Sequence, residues 1–385
     1  MKDGLKPYNG GEISLYFHWA YCTKKCPYCD FNSYVSKSID YQAWLNGYLQ
    51  SLKNQAKFFA NKKITSIFFG GGTPSLMSPE MVFQLIDYCN QHNKSNGFNE
   101  VIEITLESNP STFEIAKFKD FKQAGVNRLS TGIQSFLSES LKFLGRNHNV
   151  KEAILALEES NKIFDRVSFD LIIGLPNQTL SMWQKELNFA LNFFKEHISI
   201  YQLTIEEGTP FFRQGIAEAK EEIGEELFLY TLETLQSKSI WQYEISNFAK
   251  KGAESIHNLN YWRGGEYLGI GANAHGRIFF NNNWYATKEY KNPKIWLEKS
   301  QITESSNNPI FEEFIEISNE DRFEEIVLTS LRTNEVLNPQ IVNLLSQDKI
   351  QNLIENGLLE YKNSSIKTTN KGRLCLNYVI NYLLT

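Results

Sequence analysis

Residues 15–34 read LYFHWAYCTKKCPYCDFNSY, an apolar run that leads directly into three closely spaced cysteines. The run begins at residue 13 and is rich in aliphatic and aromatic side chains, so it predicts a strand over residues 13–18. Cys22, Cys26 and Cys29 follow with CxxxCxxC spacing. A strand that ends in a loop of potential ligands is typical of α/β proteins, because their sites collect at the carboxyl ends of parallel strands.

Strand and helix patterns continue to alternate after this segment. Further strands are predicted over residues 64–69, 101–106, 127–133, 166–173, 198–204 and 241–245. Helices are predicted between them over residues 40–61, 79–92, 111–124, 180–194 and 221–238, with shorter helical stretches up to residue 163. Such an alternation forms parallel βαβ units. We therefore expect an α/β fold, specifically a partial (β/α)6 TIM-like barrel.

The alternation weakens after residue 245. Residues 246–290 are rich in Gly, Asn and aromatic residues, which predicts loops and a hairpin. Two helices near residues 323–331 and 338–355, a hairpin over 358–369 and a final helix over 372–384 resemble a winged helix. We expect three parts: a barrel over residues 1–245, a loop and hairpin extension over 246–310, and a small helical domain over 311–385.

The composition excludes several classes of protein. The chain has 385 residues, 42% of them hydrophobic, and a net charge of −5, so it lacks the basic field typical of nucleic-acid binding. No apolar run approaches the roughly 20 residues that span a bilayer, and the first residues show no apolar leader. We expect a cytoplasmic protein that is not integral to a membrane.

The five cysteines point to a metal or redox site rather than to disulfides. An odd number of cysteines, three of them within eight positions, is a poor disulfide framework for a chain of this length. Zinc in a structural site needs four ligands, so His18, Asp30 or a distant group would have to complete the set. An iron–sulfur cubane held by three thiolates would keep one iron open for an exchangeable ligand. Cys89 and Cys375 match no motif and are expected to be apolar fillers.

Two further features predict a binding site at the same edge of the sheet. Gly70 to Thr73 form a glycine run at the end of the second strand, where the backbone can approach a ligand closely. Strand alternation places polar side chains on the inner face of the barrel, at or near strand ends. The residues predicted in this way are Glu107, Gln134, Asp170 and Thr204.

With these residues in view, the chain resembles the radical S-adenosylmethionine (SAM) proteins, and more narrowly the HemW heme chaperones, relatives of oxygen-independent coproporphyrinogen III dehydrogenase. The matching segments cover nearly the whole length and include IFFGGGTPSL, ITLESNP, GVNRLSTGIQSF, SFDLIIGLPNQT and HNLNYWRGGEYLGIGANAHG. The resemblance implies that Cys22, Cys26 and Cys29 hold a 4Fe–4S cluster, with SAM on the fourth iron. It also implies a set of SAM-contacting positions, to which strand alternation adds Thr204: Tyr16, Tyr28, Gly71, Gly72, Thr73, Glu107, Gln134, Arg146, Asp170 and Thr204.

The HNxxYW element of the HemW group is present as His257, Tyr261 and Trp262. The resemblance implies that these residues contact heme, since neutral imidazole is a good iron ligand and aromatic rings can stack on a porphyrin. Taken by itself, His257 would be interpreted as a histidine that orders a loop. His275 is a second candidate near the mouth of the site.

The expected function is heme binding and transfer to acceptor proteins such as respiratory-chain hemoproteins, with a 4Fe–4S cluster, SAM and heme as bound groups. A homodimer is compatible with this expectation.

The main alternative is coproporphyrinogen III dehydrogenase, whose CxxxCxxCxC pattern would place a cysteine where this chain has Phe31. Cleavage of SAM, and with it enzymatic activity, stays open. A zinc-stabilised binding module is the third alternative. The chain departs from the family at Ala20, where a proline is usual, and at Ser330, where a glycine is usual.

Overall fold

The computed structural model describes residues 5–302, 310–363 and 365–385. Residues 303–309, which belong to the predicted extension, lie outside this part. The strands are β1 (Glu12–Trp19), β2 (Tyr21–Cys22), β3 (Tyr34–Val35), β4 (Lys63–Gly71), β5 (Glu103–Ser108), β6 (Arg128–Gln134), β7 (Arg166–Ile173), β8 (His197–Gln202), β9 (Trp241–Gln242), β10 (Asn247–Ala249), β11 (Tyr267–Ile270), β12 (His275–Phe280), β13 (Asn283–Lys288), β14 (Glu313–Ile317), β15 (Leu359–Lys362) and β16 (Ser365–Thr368).

The helices alternate with these strands in the first two thirds of the chain and dominate its end. They are α1 (Tyr41–Gln55), α2 (Pro79–Ser95), α3 (Thr112–Ile115), α4 (Phe118–Gln123), α5 (Ser138–Phe143), α6 (Val150–Ile163), α7 (Leu180–Ala190), α8 (Pro210–Arg213), α9 (Glu221–Ser237), α10 (Ile256–Trp262), α11 (Pro293–Ser300), α12 (Asn319–Ser330), α13 (Pro339–Val342), α14 (Gln347–Glu355), α15 (Asn370–Leu374) and α16 (Leu376–Leu384).

One twelve-stranded sheet organises the barrel, in the order β14-β13-β12-β11-β1-β4-β5-β6-β7-β8-β10-β9. The six strands from β1 to β8 in this order pair in parallel, which confirms the predicted α/β architecture. Their apolar side chains pack against the covering helices in two large clusters, one around Phe17 and Trp44 and the other around Trp183 and Leu187. Polar side chains are left for the inner face, where the carboxyl ends of the strands meet.

Residues 246–290 contain more regular structure than the predicted loops and hairpin. The hairpin exists as β12 and β13, but β11 also adds a parallel strand beside β1, and α10 precedes it. β11 has only four residues, so it gives a weak pattern, and its pairing with β1 is a contact over some 250 positions that local propensity does not reveal. β14 then extends the same sheet by pairing with β13.

The end of the chain has its own hydrophobic core, which includes Val327, Ile350, Ile366 and Val379. The predicted helix over residues 338–355 is two helices, α13 and α14, because the chain turns between Asn343 and Ser346, and Ser346 caps α14. The predicted hairpin is β15 and β16. Within the described residues, none of the helices has the length and apolar character needed to cross a membrane.

Candidate functional site

The first cavity lies at the carboxyl ends of the parallel strands and has a volume of about 330 Å³. The cysteine loop forms one side of it, and the loops after β4 to β8 form the rest. Twelve of the residues predicted for the cluster and SAM line it together: Cys22, Cys26, Cys29, Tyr28, Gly71, Gly72, Thr73, Glu107, Gln134, Arg146, Asp170 and Thr204. Parts of the sequence far apart from one another therefore meet at one site.

The three cysteines form no disulfide and are half-buried on the cavity wall. A turn in which the backbone N–H of Cys29 donates to the Cys26 carbonyl at 3.1 Å shapes the loop. Burial raises the pKa of the Cys22 and Cys29 thiols. Within the described residues, no three His, Cys, Asp or Glu side chains converge on a position suited to one metal ion. A cubane would take the thiolates on separate irons, whereas a structural zinc ion needs four ligands at one position.

Neighbouring protein atoms leave no room for a side chain at two glycines of the run at the end of β4. Gly71 has a φ of +109°, and a Cβ there would lie 2.6 Å from the His18 ring. A Cβ on Gly72 would lie 2.5 Å from the Tyr21 carbonyl oxygen, because Gly72 continues the pairing beside the start of the cysteine loop. The close neighbours on the Cβ side of these glycines are thus His18 and Tyr21, while both glycines also line the first cavity, where close approach of a ligand stays a prediction. The N–H of Gly71 donates to Glu107 at 3.2 Å.

Two acidic side chains, Glu107 and Asp170, lie deep in the first cavity. Burial raises the pKa of Glu107 to about 8, and the charge of Asp170 adds to this shift. Burial likewise raises the pKa of Asp170 to about 6, against the opposing effects of Ser199 and Arg128. A cation placed beside these groups would lower both pKa values. The site is therefore suited to the cationic part of a ligand.

Arg146 connects the cysteine loop to the opposite wall. Its Nη1 donates to Cys26 Sγ at 3.5 Å, and its Nη2 donates to Asn109 Oδ1 at 2.5 Å and to the Gly132 carbonyl at 2.8 Å. Its Nε is buried without an acceptor in the structure. Gln134, on the same wall, has a left-handed φ of +71°, next to a register shift between β6 and β7. Such strained positions cluster at functional sites.

Three residues of this region were not predicted as site residues, although strand alternation places one of them, Arg128, on the inner face of the barrel. Asn109 holds both Arg146 and Thr73, the latter through Nδ2 and Oγ1 at 3.0 Å. Its place directly after β5, before Pro110, was the signal available. Arg128 lies buried among the inner polar groups, where its Nη1 donates to Thr105 Oγ1 at 3.5 Å. Tyr201 lines the cavity from β8, where strand alternation predicted only Thr204.

Tyr16, predicted beside the cluster, does not line the first cavity. Its ring stacks on Phe68, with centroids 6.1 Å apart, and its hydroxyl hydrogen-bonds His18 Nδ1 at 3.2 Å. Tyr16 also lies 6.4 Å from the His257 ring, so it stands between the cysteine loop and the HNxxYW element. His275, the other histidine candidate, is exposed at the start of β12 and lines neither this cavity nor the next.

A second cavity of about 500 Å³ adjoins the first, and Tyr201 belongs to the walls of both. Tyr261 and Trp262, on α10, line it. His257 does not: only 1% of its surface is exposed, because it packs beneath Tyr261 and beside Phe68. Two of the three predicted heme residues therefore face a cavity, and the third lies behind it.

Hydrogen bonds define the state of His257. The Ser66 hydroxyl donates its single proton to Ser14 at 2.8 Å, so at 2.9 Å from His257 it accepts the proton of Nδ1. Nε2 then carries the lone pair and accepts from the Tyr261 hydroxyl at 2.6 Å. Burial lowers the pKa of His257 to about 3, which keeps the ring neutral. Nε2 is thus the nitrogen able to bind a metal, and Tyr261 occupies it.

Comparison with known proteins places this geometry in a family. Residues 16–190 match the model of the radical SAM superfamily. The heme chaperone HemW of Buchnera aphidicola (Schizaphis graminum) is 36% identical, with 97% of this chain and 98% of that protein covered. The chain belongs to the HemW family of radical SAM proteins. HemW of Haemophilus influenzae is 38% identical, and the alignment covers 97% of this chain and 98% of the Haemophilus protein.

Relatives of the HemW family extend beyond bacteria. The mitochondrial radical S-adenosyl methionine domain-containing protein 1 of Danio rerio is 36% identical, over 89% of this chain and 78% of its own. Among solved structures, Escherichia coli coproporphyrinogen III oxidase (HemN) superposes with a TM-score of 0.79 over 97% of this chain and 90% of its own. At 21% identity this likeness shows the fold. Membership of the superfamily implies a 4Fe–4S cluster and SAM.

Proposed function

We propose that this protein binds heme and delivers it to acceptor proteins, with a 4Fe–4S cluster on Cys22, Cys26 and Cys29 and SAM in the first cavity. The observation that carries the proposal is the second cavity, which carries Tyr261 and Trp262 on its wall and adjoins the first at Tyr201. Relatives that share most of the chain are named heme chaperones. Acceptors of the respiratory-chain type and a cytoplasmic location belong to the same proposal.

The first cavity has complementary groups for each end of SAM. Arg146 offers a guanidinium, whose rigid fork suits a carboxylate. Glu107 and Asp170 suit the cationic groups. When bound, the cluster and SAM supply one-electron chemistry, and the protein's part is to orient them and to exclude water.

Heme ligation by His257 requires a local exchange of partners. Its Nε2 accepts from Tyr261 at 2.6 Å, so iron can reach this nitrogen only when that hydrogen bond opens. We expect Tyr261→Phe, which removes the competing hydroxyl, to keep or raise the affinity for heme. We expect His257→Ala to lower it and to shift the Soret band. Anaerobic heme titration followed by absorption spectroscopy tests both variants against wild type; an unchanged Soret band and affinity in His257→Ala would show that His257 is structural.

Delivery is tested with the heme-loaded protein and an apo-cytochrome. Transfer predicts that the Soret band of the donor decays while that of the cytochrome grows, at a rate above that of free heme release. If heme reaches the cytochrome no faster than it does from serum albumin, the chaperone proposal fails.

Coproporphyrinogen III dehydrogenase is the second candidate, favoured by the fold match to HemN. Against it, Phe31 stands in the wall of the first cavity where the dehydrogenase pattern would have a cysteine. Coproporphyrinogen III incubated with the reconstituted protein, SAM and a reductant is expected to give no protoporphyrinogen. Turnover in this assay would replace the chaperone proposal with the enzyme.

A further inference from the structure

The second cavity has an aromatic side and a basic side. Tyr261, Trp262 and Tyr267 supply the aromatic surface. The basic side comes from β12 and the α12 region: Arg277, Arg322 and Arg332. A flat apolar body with acidic side chains would match both sides.

Two of these arginines are held in a rigid arrangement by one carboxylate. Glu325 accepts from Arg277 Nε at 2.7 Å and also from Arg322 Nη1. Arg322 further donates to the Gly264 carbonyl at 2.6 Å, and its guanidinium lies 3.8 Å from the centre of the Trp284 ring. Its Nε is buried without an acceptor in the structure. Two guanidinium groups share one carboxylate here, so the pair keeps a net positive charge.

Arg332 lacks a carboxylate partner within the described part of the chain. Its Nη1 donates to the Leu328 carbonyl at 2.5 Å, and its Nη2 donates to Asn377 Oδ1 at 3.2 Å. Both acceptors are neutral. Burial alone lowers its pKa, with no opposing effect of a nearby acid. A half-buried cation without a counter-ion is costly, and an anion beside it would offset that cost.

Arg373 adds positive charge behind the cavity wall. Its Nη1 and Nη2 are both buried without an acceptor in the structure. Burial lowers its pKa to about 10, against the effect of Glu244, which belongs to the wall. Glu244 is itself engaged, because Asn247 and the N–H of Ser246 donate to it. A buried donor left without an acceptor destabilises the protein, and an anion within reach would offset that cost.

We propose that the second cavity recognises the carboxylate side chains of a tetrapyrrole, and that Arg332 is the residue that receives them. This inference rests on the proposed heme function. It adds that the protein recognises the ligand by its carboxylate side chains. A guanidinium fork pairs with a carboxylate through two parallel hydrogen bonds. The aromatic side then faces the flat ring, which favours a porphyrin over a small carboxylic acid or a phosphate.

The experiment compares two iron(III) porphyrins that differ only at the carboxylates. Iron protoporphyrin IX and its dimethyl ester are titrated against the full-length protein, with absorbance and intrinsic fluorescence as readouts. Charged hydrogen bonds of this kind are worth about 1.5–3 kcal/mol, so wild type is expected to prefer the free acid by roughly 10- to 100-fold. Arg332→Gln is expected to lose most of that preference, and Arg332→Lys to keep part of it.

Arg263→Gln is the matched control. Arg263 directly follows Trp262 but lies outside the wall of the second cavity and pairs with Glu335. This variant loses the same charge and should keep the preference of wild type. Thermal unfolding of each variant establishes that it is folded before the titration.

The outcomes separate this inference from the proposed function. Equal binding of acid and ester by wild type, or a full preference retained in Arg332→Gln, overturns the carboxylate inference and leaves heme binding intact. Binding of neither porphyrin overturns both. If millimolar acetate or phosphate displaces the porphyrin, the arginines of the second cavity form a site for small anions, and the porphyrin assignment is overturned.

Discussion

For individual residues of the first cavity, the sequence predicts which side chains face the cavity but not the backbone conformation or the contacts across the fold. Alternation along β5 and β7 correctly directed Glu107 and Asp170 into one cavity, because side chains two apart share a face. The same rule placed Gln134 there but could not reveal its left-handed backbone, which depends on the register shift against β7. Nor could it reveal that His257 is covered by Tyr261, since that contact depends on how α10 packs on the barrel.

The raised pKa of Glu107 predicts how stability depends on pH in the protein without SAM. Its folded pKa is about 8 and its ordinary value about 4.5, so between these values the folded state binds more protons than the unfolded state. The free energy of unfolding contributed by this group therefore falls as pH rises from about 4.5 to 8. Glu107→Gln keeps an acceptor for Gly71 and removes the charge, so it should melt a few degrees above wild type at pH 8.5.

Melting temperatures at pH 5 and pH 8.5 test this expectation. At pH 5 the difference between the two proteins should be much smaller, because this pH is close to the ordinary pKa of about 4.5 and the free energy lost to ionisation is still small. A difference that is as large at pH 5 as at pH 8.5 would mean that the carboxyl is not the group responsible.

The strands β1 and β4 beside the cysteine loop were predicted from the sequence. The contact that requires a glycine at the end of β4 was not. The sequence shows that β4 ends in a glycine run, and it cannot show that His18 of β1 fills the space beside Gly71. Parallel pairing of β1 with β4 up to Trp19 and Gly71 creates that contact. The glycine run thus joins the strand that carries the cysteines to the strand next to it, and it delivers the Gly71 N–H to Glu107.

Gly71→Ala is expected to disturb this junction strongly. Alanine at a φ of +109° costs about 1–2 kcal/mol from backbone conformation alone, and the Cβ would also displace the His18 ring. We expect a lower melting temperature and less iron retained after anaerobic reconstitution.

Gly97→Ala provides the comparison for this variant. Gly97 also has a positive φ, +76°, but a Cβ there would meet nothing within 4 Å. It should lose stability from backbone strain alone and keep the iron content of wild type. Equal losses of iron in both variants would show that contact with His18 is not what matters.

At the scale of the whole molecule, the sequence predicted the parallel barrel and missed much of the sheet's other half. The repeated pattern of strand and helix was a local signal, repeated from β1 to β8. β11 has four residues and β14 five, and neither pairs with a strand next to it through a tight turn: β11 pairs with β1 and β14 pairs with β13, so their place in the sheet follows from tertiary pairing. The three expected parts, over residues 1–245, 246–310 and 311–385, remain a proposal.

Glu325 is expected to stabilise the packing of α12 against β12 of the sheet. It pairs with Arg277 of β12 and with Arg322 of its own helix, while Arg322 also holds the Gly264 carbonyl. Glu325→Gln leaves two partly buried guanidinium groups without a charged partner, and we expect a loss of about 1–3 kcal/mol in the free energy of unfolding. Urea unfolding of Glu325→Gln, Arg277→Gln and the double variant measures the coupling. Strictly additive losses would show that the pair contributes nothing to the attachment.

Tyr201 has a consequence for how the two cavities work together. Its side chain forms part of the wall of each, on the last parallel strand of the barrel. Any ligand that shifts this ring on binding also changes the shape of the neighbouring cavity. Thermodynamic linkage then requires reciprocity: the factor by which one ligand changes the affinity of the other is the same in both directions. A ligand that moves Tyr201 in one cavity would therefore change the affinity of the other cavity, by a coupling free energy that is the same whichever ligand binds first.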